Sequence, residues 1–237
     1  MDLSRTNPYD CQMPLRPADL PTLLDELERL HGPPRHLPPR KALEWILWEN
    51  AAYLVSDERR QRAYTALRER TRLTPAGLLR LPRAELQEIA ALGGMLPERR
   101  VEKLLAIAQT VQDEFDGDLE PALALPLAQA RRALRNFPGI GAPGADRILL
   151  FTETHALPAL ESNGLRVLVR LGLAQEAKSY STTYRSGSAA LEPHSGRGCG
   201  WLMRAHDLLR AHGQALCKQS APRCGECPLD ERCPASS

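Results

Sequence analysis

Residues 134–148 read LRNFPGIGAPGADRI, and this stretch indicates more about the fold than any other part of the chain. The residues before it, from 126 to 136, and those after it, from 143 to 152, have the apolar spacing of amphipathic helices. Proline and glycine interrupt the pattern between them, as they do where a helix must end. The stretch therefore predicts two helices joined by a short hairpin.

The turn of this hairpin has the composition of a phosphate-binding site. Two glycines flank an apolar residue, Ile140, which we expect to fill the space between the two helices. The free amides at the start of the second helix and its positive dipole end then face the same way as the turn. Such a site holds a DNA phosphate without reading sequence, although an ordinary turn between helices has similar residues. The predicted contacts are Gly139, Ile140, Gly141 and Gly144.

Four cysteines near the C-terminus have the spacing C-x6-C-x2-C-x5-C. Soft thiolate ligands select zinc or an iron–sulfur cluster. The compact run and the prolines after two of the cysteines favour a [4Fe–4S] cluster, and zinc, disulfides or unliganded thiols are the alternatives. Cys11 and Cys199 lie outside the run and are interpreted as bystanders, and the histidines have no metal-binding spacing. The expected ligands are Cys217, Cys224, Cys227 and Cys233.

The composition favours helix over sheet. Aromatic residues make up 5% of the 237 residues, and leucine, alanine, arginine and glutamate abound. We find no apolar run long enough to cross a bilayer and no signal-peptide pattern, and we expect a cytoplasmic protein. The formal net charge of +2 does not by itself indicate a nucleic-acid partner.

Apolar periodicity and proline or glycine stops predict an all-α chain. Residues 1–19 are predicted to form a flexible arm, residues 32–39 a proline-rich break, and residues 178–198 receive no assignment. The first helix is expected to place Leu23, Leu24, Leu27 and Leu30 on one apolar face. The predicted helices span residues 20–31, 41–55, 57–71, 74–79, 83–91, 98–115, 126–136, 143–152, 163–171 and 200–212.

From about Leu20 to Pro234 the chain resembles endonuclease III, within the helix-hairpin-helix superfamily of DNA base-excision glycosylases. The hairpin at 137–145 and the cysteine loop, with its approach His212–Cys217, carry the resemblance. It implies a two-lobed fold. A six-helix barrel at 40–155 contains the helix-hairpin-helix motif at about 127–152, and residues 20–39 and 156–237 form the [4Fe–4S] domain.

The resemblance also implies how such a protein works. Damaged double-stranded DNA would lie across the cleft between the lobes, and the damaged base would be flipped into that cleft. The cluster would be mainly structural, and its loop would present Lys218 and Arg223 to the DNA backbone, where solvated loop charge is the alternative. A nucleoid-associated monomer is expected.

Two catalytic positions differ from the family pattern. The lysine that attacks the sugar in bifunctional members is matched by Pro143, which has no amine, so lysine-dependent lyase activity is doubtful. The family's catalytic aspartate is matched by Glu161, which could stabilise an oxocarbenium-like sugar and activate water. The alternative for Glu161 is an acid that complements a helix dipole. Asn163 replaces a family histidine.

The positions that fill the space left by a flipped base differ as well. Matching the first barrel helix places Leu54, beside Tyr53, where the family has a glutamine, and the second wedge loop falls at residues 93–96. Apolar or aromatic side chains can support a base stack, although packing within the protein is the plainer interpretation for each of them. The predicted wedge residues are Tyr53, Leu54, Met95 and Leu96.

These observations together predict a DNA glycosylase of base-excision repair that is monofunctional. A non-catalytic protein that binds damaged DNA, retaining the hairpin and the cluster, is the first alternative. A redox module in which the cluster itself is the working part is the second.

Overall fold

A computed structural model describes residues 15–35 and 39–236, and within these ranges the backbone forms helices and connecting turns but no strand. The all-α prediction is therefore confirmed. None of the helices described is long and apolar enough to pass through a membrane. The α-helices are α1 (Leu20–His31), α2 (Ala42–Ala51), α3 (Asp57–Thr71), α4 (Pro75–Arg80), α5 (Arg83–Leu92), α6 (Pro97–Glu114), α7 (Glu120–Leu123), α8 (Leu127–Arg135), α9 (Ala142–Phe151), α10 (Ser162–Arg170), α11 (Tyr180–Leu191) and α12 (Cys199–Ala215).

Most predicted helices agree with the structure to within a few residues, and the helix predicted over 41–55 is wrong at its C-terminal end. Helix α2 ends at Ala51 because Ala52 is extended and Leu54 is left-handed, with a φ of 52°. Helices α7 and α11 were not predicted. Helix α11 lacks a clear apolar stripe, and its N-terminus is capped by Ser179, whose hydroxyl accepts a hydrogen bond from the Thr182 amide.

Part of the predicted N-terminal arm, residues 1–14, lies outside the described residues, and so does Cys11. The remainder of that segment forms a 3₁₀ turn, Pro17–Asp19. The Pro17 carbonyl oxygen lies 2.8 Å from Nε2 of His194, so this turn is held against the residues that follow α11.

The helices group into two compact units. Unit 1 contains residues 15–35, 160–194 and 204–236, and unit 2 contains residues 39–159 and 195–203. The predicted metal ligands and Glu161 therefore belong to unit 1, whereas the predicted hairpin and wedge residues belong to unit 2.

Unit 2 is built around helix α2, most of whose side chains are buried apolar residues. Its tryptophans pack against other elements of the unit: Trp48 meets Tyr64 of α3 edge-on at a ring distance of 5.2 Å, and Trp45 meets Phe151 of α9 at 5.1 Å. Ile140 of the hairpin is only 5% exposed and belongs to the same core, as predicted. Burial of these side chains fixes the hairpin on the core of the unit.

Unit 1 contains helix α1, whose apolar face is fully buried at Leu20, Leu23, Leu24 and Leu27. Leu30 was predicted on this face, but it is 45% exposed because the last turn of the helix reaches solvent. Two arginines attach α1 to later parts of the unit: Arg204 pairs with Asp25 and Glu28, and Arg232 pairs with Glu26. These pairs bring the N-terminal helix and the cysteine loop into one body.

Candidate functional site

The hairpin between α8 and α9 has the conformation that its sequence predicts. Gly139 has a φ of +75°, which glycine adopts without strain. Gly141 is the N-cap of α9 and has no side chain, so the amides of the first turn are left to an external acceptor. Pro143 occupies the first turn of α9, where proline is tolerated. Pro143 is therefore compatible with the observed shape of the hairpin.

Asn50 of α2, which the sequence did not single out, fastens the hairpin to the core. Its Nδ2 donates to the Pro138 carbonyl oxygen at 2.8 Å and to the Ile46 carbonyl oxygen at 2.9 Å. A Cβ on Gly139 would lie 3.1 Å from Oδ1 of Asn50, so the close approach favours glycine. No local pattern marks this contact, because its partners are 88 residues apart.

Ion pairs connect the two helices of the hairpin to each other and to α2. Arg131 Nε of α8 donates to Asp146 Oδ1 of α9 at 2.6 Å, and Arg147 of α9 pairs with Glu49 of α2. The Arg147 guanidinium also lies over the Trp45 ring, 5.7 Å from its centroid. The turn is thus held in one position by three elements of unit 2.

The predicted wedge residues lie on two neighbouring loops, and all of them are exposed. Tyr53 donates its backbone amide to the Gly93 carbonyl oxygen at 3.3 Å, which joins the loop after α2 to the loop after α5. The exposed fractions are 70% for Tyr53, 77% for Leu54, 74% for Met95 and 58% for Leu96. Packing within the core, the plainer interpretation from sequence, does not hold for these side chains.

An open cavity brings these loops together with the hairpin and with basic side chains. Gly139 and the four wedge residues line it, and so do Arg60, Arg99, Arg100 and Lys103. Arg100 is 6% exposed and donates to the Ala90 carbonyl oxygen at 2.7 Å and the Met95 carbonyl oxygen at 3.1 Å. Burial, with the charges of Arg59 and Arg60, lowers its pKa. Arg100 therefore shapes the second loop.

This basic group was not predicted, although the sequence contains a signal for it. Arg99 and Lys103 are four residues apart on α6 and so project from the same side of the helix. Apolar tips beside cationic side chains form a surface that suits stacked bases flanked by phosphates.

In unit 1 the four cysteines of the C-terminal loop line one cavity of about 430 Å³, counting the space at its open mouth. Among the described residues, no three His, Cys, Asp or Glu side chains are placed to hold a single metal ion. All four thiols are free of disulfides. The four thiols nevertheless line the same cavity, and cysteine thiolates are ligands for zinc and for iron–sulfur clusters.

Hydrogen-bond donors surround these sulfurs. Arg170 Nη1 donates to Cys217 Sγ at 3.4 Å, and the Leu229 amide donates to Cys227 Sγ at 3.4 Å. Burial, more than the neighbouring cysteines, raises the pKa of the Cys227 and Cys233 thiols. A cationic metal centre would offset that desolvation and favour the thiolates.

The two basic residues predicted on this loop have different surroundings. Lys218 is exposed, as a backbone contact requires. Arg223 instead donates from Nε and Nη2 to the two carboxylate oxygens of Glu226, each at 2.7 Å. A DNA phosphate would therefore compete with this pair for the Arg223 guanidinium.

Glu161 is the N-cap of α10 and uses both carboxylate oxygens. Its Oε1 accepts from the Gly164 amide at 2.7 Å, and its Oε2 accepts from Asn163 Nδ2 at 2.8 Å. The helix-capping role considered from the sequence is therefore present. Each oxygen keeps a second lone pair, so capping orients the carboxylate without consuming its capacity to accept a proton or a water hydrogen.

Arg166 continues this network from Glu161 to the cysteine loop. Its Nη2 donates to Asn163 Oδ1 at 2.9 Å and to the Gly213 carbonyl oxygen at 2.8 Å. Its Nε donates to the Cys217 carbonyl oxygen at 2.8 Å. A continuous path of hydrogen bonds thus joins the carboxylate to the backbone of the first cysteine.

Over more than nine-tenths of the chain, the fold matches those of solved DNA glycosylases. A structure of a trapped endonuclease III–DNA covalent intermediate superposes with a TM-score of 0.75 at 20% identity, covering 94% of this chain and 97% of that one. A thermostable thymine-DNA glycosylase gives a TM-score of 0.72 at 14% identity, covering 92% and 97%. The chain has the helix-hairpin-helix DNA glycosylase fold.

Similarity in amino-acid sequence covers a smaller part of the chain than similarity in fold. Endonuclease III of Rickettsia conorii is 30% identical over 102 residues, which is 43% of this chain and 45% of that protein. No protein-family model matches the chain. The matched segment thus spans less than half of that curated relative, while the fold extends over nearly the whole chain.

The contact between the two wedge loops predicts the effect of Gly93→Ala. A Cβ at this position would lie 1.9 Å from the Ala51 carbonyl oxygen, a backbone atom that can move only if the loops separate. We expect the free energy of unfolding, measured by urea denaturation, to fall by about 2 kcal/mol.

Gly196→Ala is the matched control, since nothing lies within 4 Å of a Cβ built at this position. We expect its free energy of unfolding to stay within about 0.5 kcal/mol of the parent value. Equal stabilities for the two variants would show that the loops are not in contact.

Proposed function

We propose that this protein is a DNA glycosylase of base-excision repair. It would bind damaged double-stranded DNA as a monomer, flip one base and hydrolyse its N-glycosidic bond. The observation that carries the proposal is the retained carboxylate of Glu161, held in one orientation within the fold that endonuclease III uses on DNA. With this function, the protein would be associated with the nucleoid.

The proposed chemistry uses Glu161 and water. As the glycosidic bond breaks, the sugar gains oxocarbenium-like positive charge, which a fixed carboxylate stabilises at short range. The same carboxylate orients a water molecule and takes its proton as it attacks C1′. Asn163 supports this role because its amide fixes Oε2. Pro143 offers no amine, so the reaction would end at an abasic site with an intact strand.

The proposed DNA contacts lie on unit 2 and on the cysteine loop. Gly139, Gly141 and Gly144 would present backbone amides to a phosphate, with Arg99 and Lys103 adding positive charge beside them. The predicted contact Ile140 would support the turn through its buried side chain, because its amide already donates to the Phe137 carbonyl oxygen at 3.2 Å. Tyr53, Leu54, Met95 and Leu96 would fill the space left by the flipped base. Lys218 and Arg223 would contact the backbone from unit 1.

The proposed cofactor is a [4Fe–4S] cluster held by Cys217, Cys224, Cys227 and Cys233. The shared cavity and the hydrogen-bond donors beside the sulfurs support a thiolate-bound metal centre, and the compact cysteine spacing with prolines after two of the cysteines favours a cluster over zinc. When bound, the cluster would cross-link the loop through four iron–sulfur bonds. The chain's own part is to fix that loop to α10 through Arg166 and Arg170.

One observation favours a second candidate, a protein that binds damaged DNA without cleaving it. Glu161 already serves as a helix cap, and that structural role alone could retain a carboxylate at this position. In such a protein the hairpin and the wedge loops would bind DNA, and Glu161 would only cap the helix.

A base-excision assay of the parent protein separates the two candidates, and the same assay of Glu161→Gln tests the role of the carboxylate. We expect the iron-loaded protein to excise one base from a panel of oxidised, alkylated and deaminated duplexes, with strand breaks after alkali treatment. Since glutamine cannot take a proton, we expect excision to fall by about 10²-fold or more. Glu176→Gln, an exposed carboxylate in the same unit, should excise like the parent.

Two outcomes would contradict the proposal, one for the role of Glu161 and one for the glycosylase activity. Parental excision by Glu161→Gln would remove this carboxylate from the chemistry. A lesion panel that is bound but yields no abasic product would leave the binding protein as the function. Borohydride should trap no covalent complex on abasic DNA, and a trapped complex would show that another amine acts.

Metal analysis tests the cofactor. Protein prepared without oxygen should be brown and contain about four iron atoms per chain. Cys224→Ser should lose iron and unfold at a lower temperature, because a ligand and its cross-link are removed. Cys199→Ser, outside the run, should keep its iron. A colourless parent protein that contains zinc would contradict the cluster.

A further inference from the structure

Two histidines and one of the cysteine sulfurs form a chain of two contacts. His31 ends α1, and its Nε2 lies 3.1 Å from Nδ1 of His212 in α12. The other ring nitrogen of His212, Nε2, lies 3.5 Å from Cys227 Sγ. The two rings meet edge to face, with centroids 5.4 Å apart and an angle of 62°. All three side chains belong to unit 1.

The chemistry of the sulfur determines where the protons lie. A cysteine that binds metal is a thiolate, which accepts hydrogen bonds and cannot donate them. Nε2 of His212 must then carry the hydrogen if it bonds to Cys227. In a neutral ring with this tautomer, Nδ1 carries a lone pair, and it faces Nε2 of His31 at 3.1 Å. In this arrangement His31 donates from Nε2 to His212.

The arrangement resembles the outer shell of metal sites, where a second group fixes the tautomer and orientation of a histidine. Here the histidine touches a ligand sulfur rather than the metal. Its orientation depends on His31, which lies 181 residues away in the sequence and on another helix. The donor is thus supplied by packing between α1 and α12.

We propose that the His31–His212 pair sets the reduction potential of the iron–sulfur cluster by donating a hydrogen bond to Cys227. A donor to a ligand sulfur stabilises the reduced cluster, which carries more negative charge, and so raises the potential. The proposal rests on the cofactor of the proposed function and not on glycosylase activity.

Cys227 already accepts a hydrogen bond from the Leu229 amide, which belongs to the loop itself. Arg170 lies beside a different sulfur, that of Cys217. Changes at His31 leave both of these donors in place. The effect of the histidine pair can therefore be measured by itself.

The experiment measures the reduction potential of the iron-loaded protein by film voltammetry, with iron content determined on each sample. His31→Leu removes the donor to His212, and we expect a lower potential. His212→Leu removes the bond to sulfur, and we expect a larger shift in the same direction. His31→Gln, which retains an amide donor, should lie between His31→Leu and the parent.

Leu30→Gln is the matched control, because it is a neutral change at the adjacent, exposed position. Its potential should equal that of the parent. Nitrogen-15 NMR of the parent should show His212 protonated at Nε2 and not at Nδ1. This reading needs no variant, so it decides the matter even if His212→Leu loses its cluster.

Three results would overturn the proposal. These are parental potentials in His31→Leu and His212→Leu at full iron content, a proton on Nδ1 of His212, or a protein that binds no iron. If base excision is absent but the reduction potentials shift as expected, the proposed glycosylase activity would be wrong and the role of the histidine pair would stand. The potentials and the excision assay thus fail independently.

Discussion

The guanidinium of Arg166 is the contact on which the candidate site depends. It donates to Asn163 Oδ1 and to the carbonyl oxygens of Gly213 and Cys217, at 2.8–2.9 Å. These acceptors belong to α10, to the end of α12 and to the first residue of the cysteine loop. A planar group with donors in fixed directions can satisfy all three, whereas a lysine ammonium cannot match that geometry.

Under the proposed function, this contact would let the cysteine loop help to position Glu161. Glu161 is oriented by Gly164 and Asn163, and Asn163 is oriented by Arg166. The loop that supplies the acceptor at Cys217 is short and has little core of its own, so the proposed metal centre would fix it. The hydrogen bonds would then limit the motion of the carboxylate.

Features encoded by neighbouring residues could be predicted from the sequence, and features encoded by distant residues could not. Most helix bounds and the turn at Gly139–Gly141 follow from local periodicity and from glycine, so they were predicted, whereas α7 and α11 lack a clear apolar stripe and were not. The end of α2 was missed because the left-handed Leu54 has no sequence signal. The roles of Asn50 and Arg166 were missed because their partners lie 88 and 47–51 residues away. The exposure of the wedge residues likewise depends on how two loops meet.

The most direct test is the single-turnover rate of base excision by Arg166→Lys, compared with the parent at equal iron content and saturating protein. The substitution keeps the positive charge but cannot hold Asn163, Gly213 and Cys217 together. We predict that the rate falls by about tenfold or more while DNA affinity is unchanged, since the carboxylate loses its support. An undiminished rate would contradict the account, because Glu161 would then be positioned without the loop.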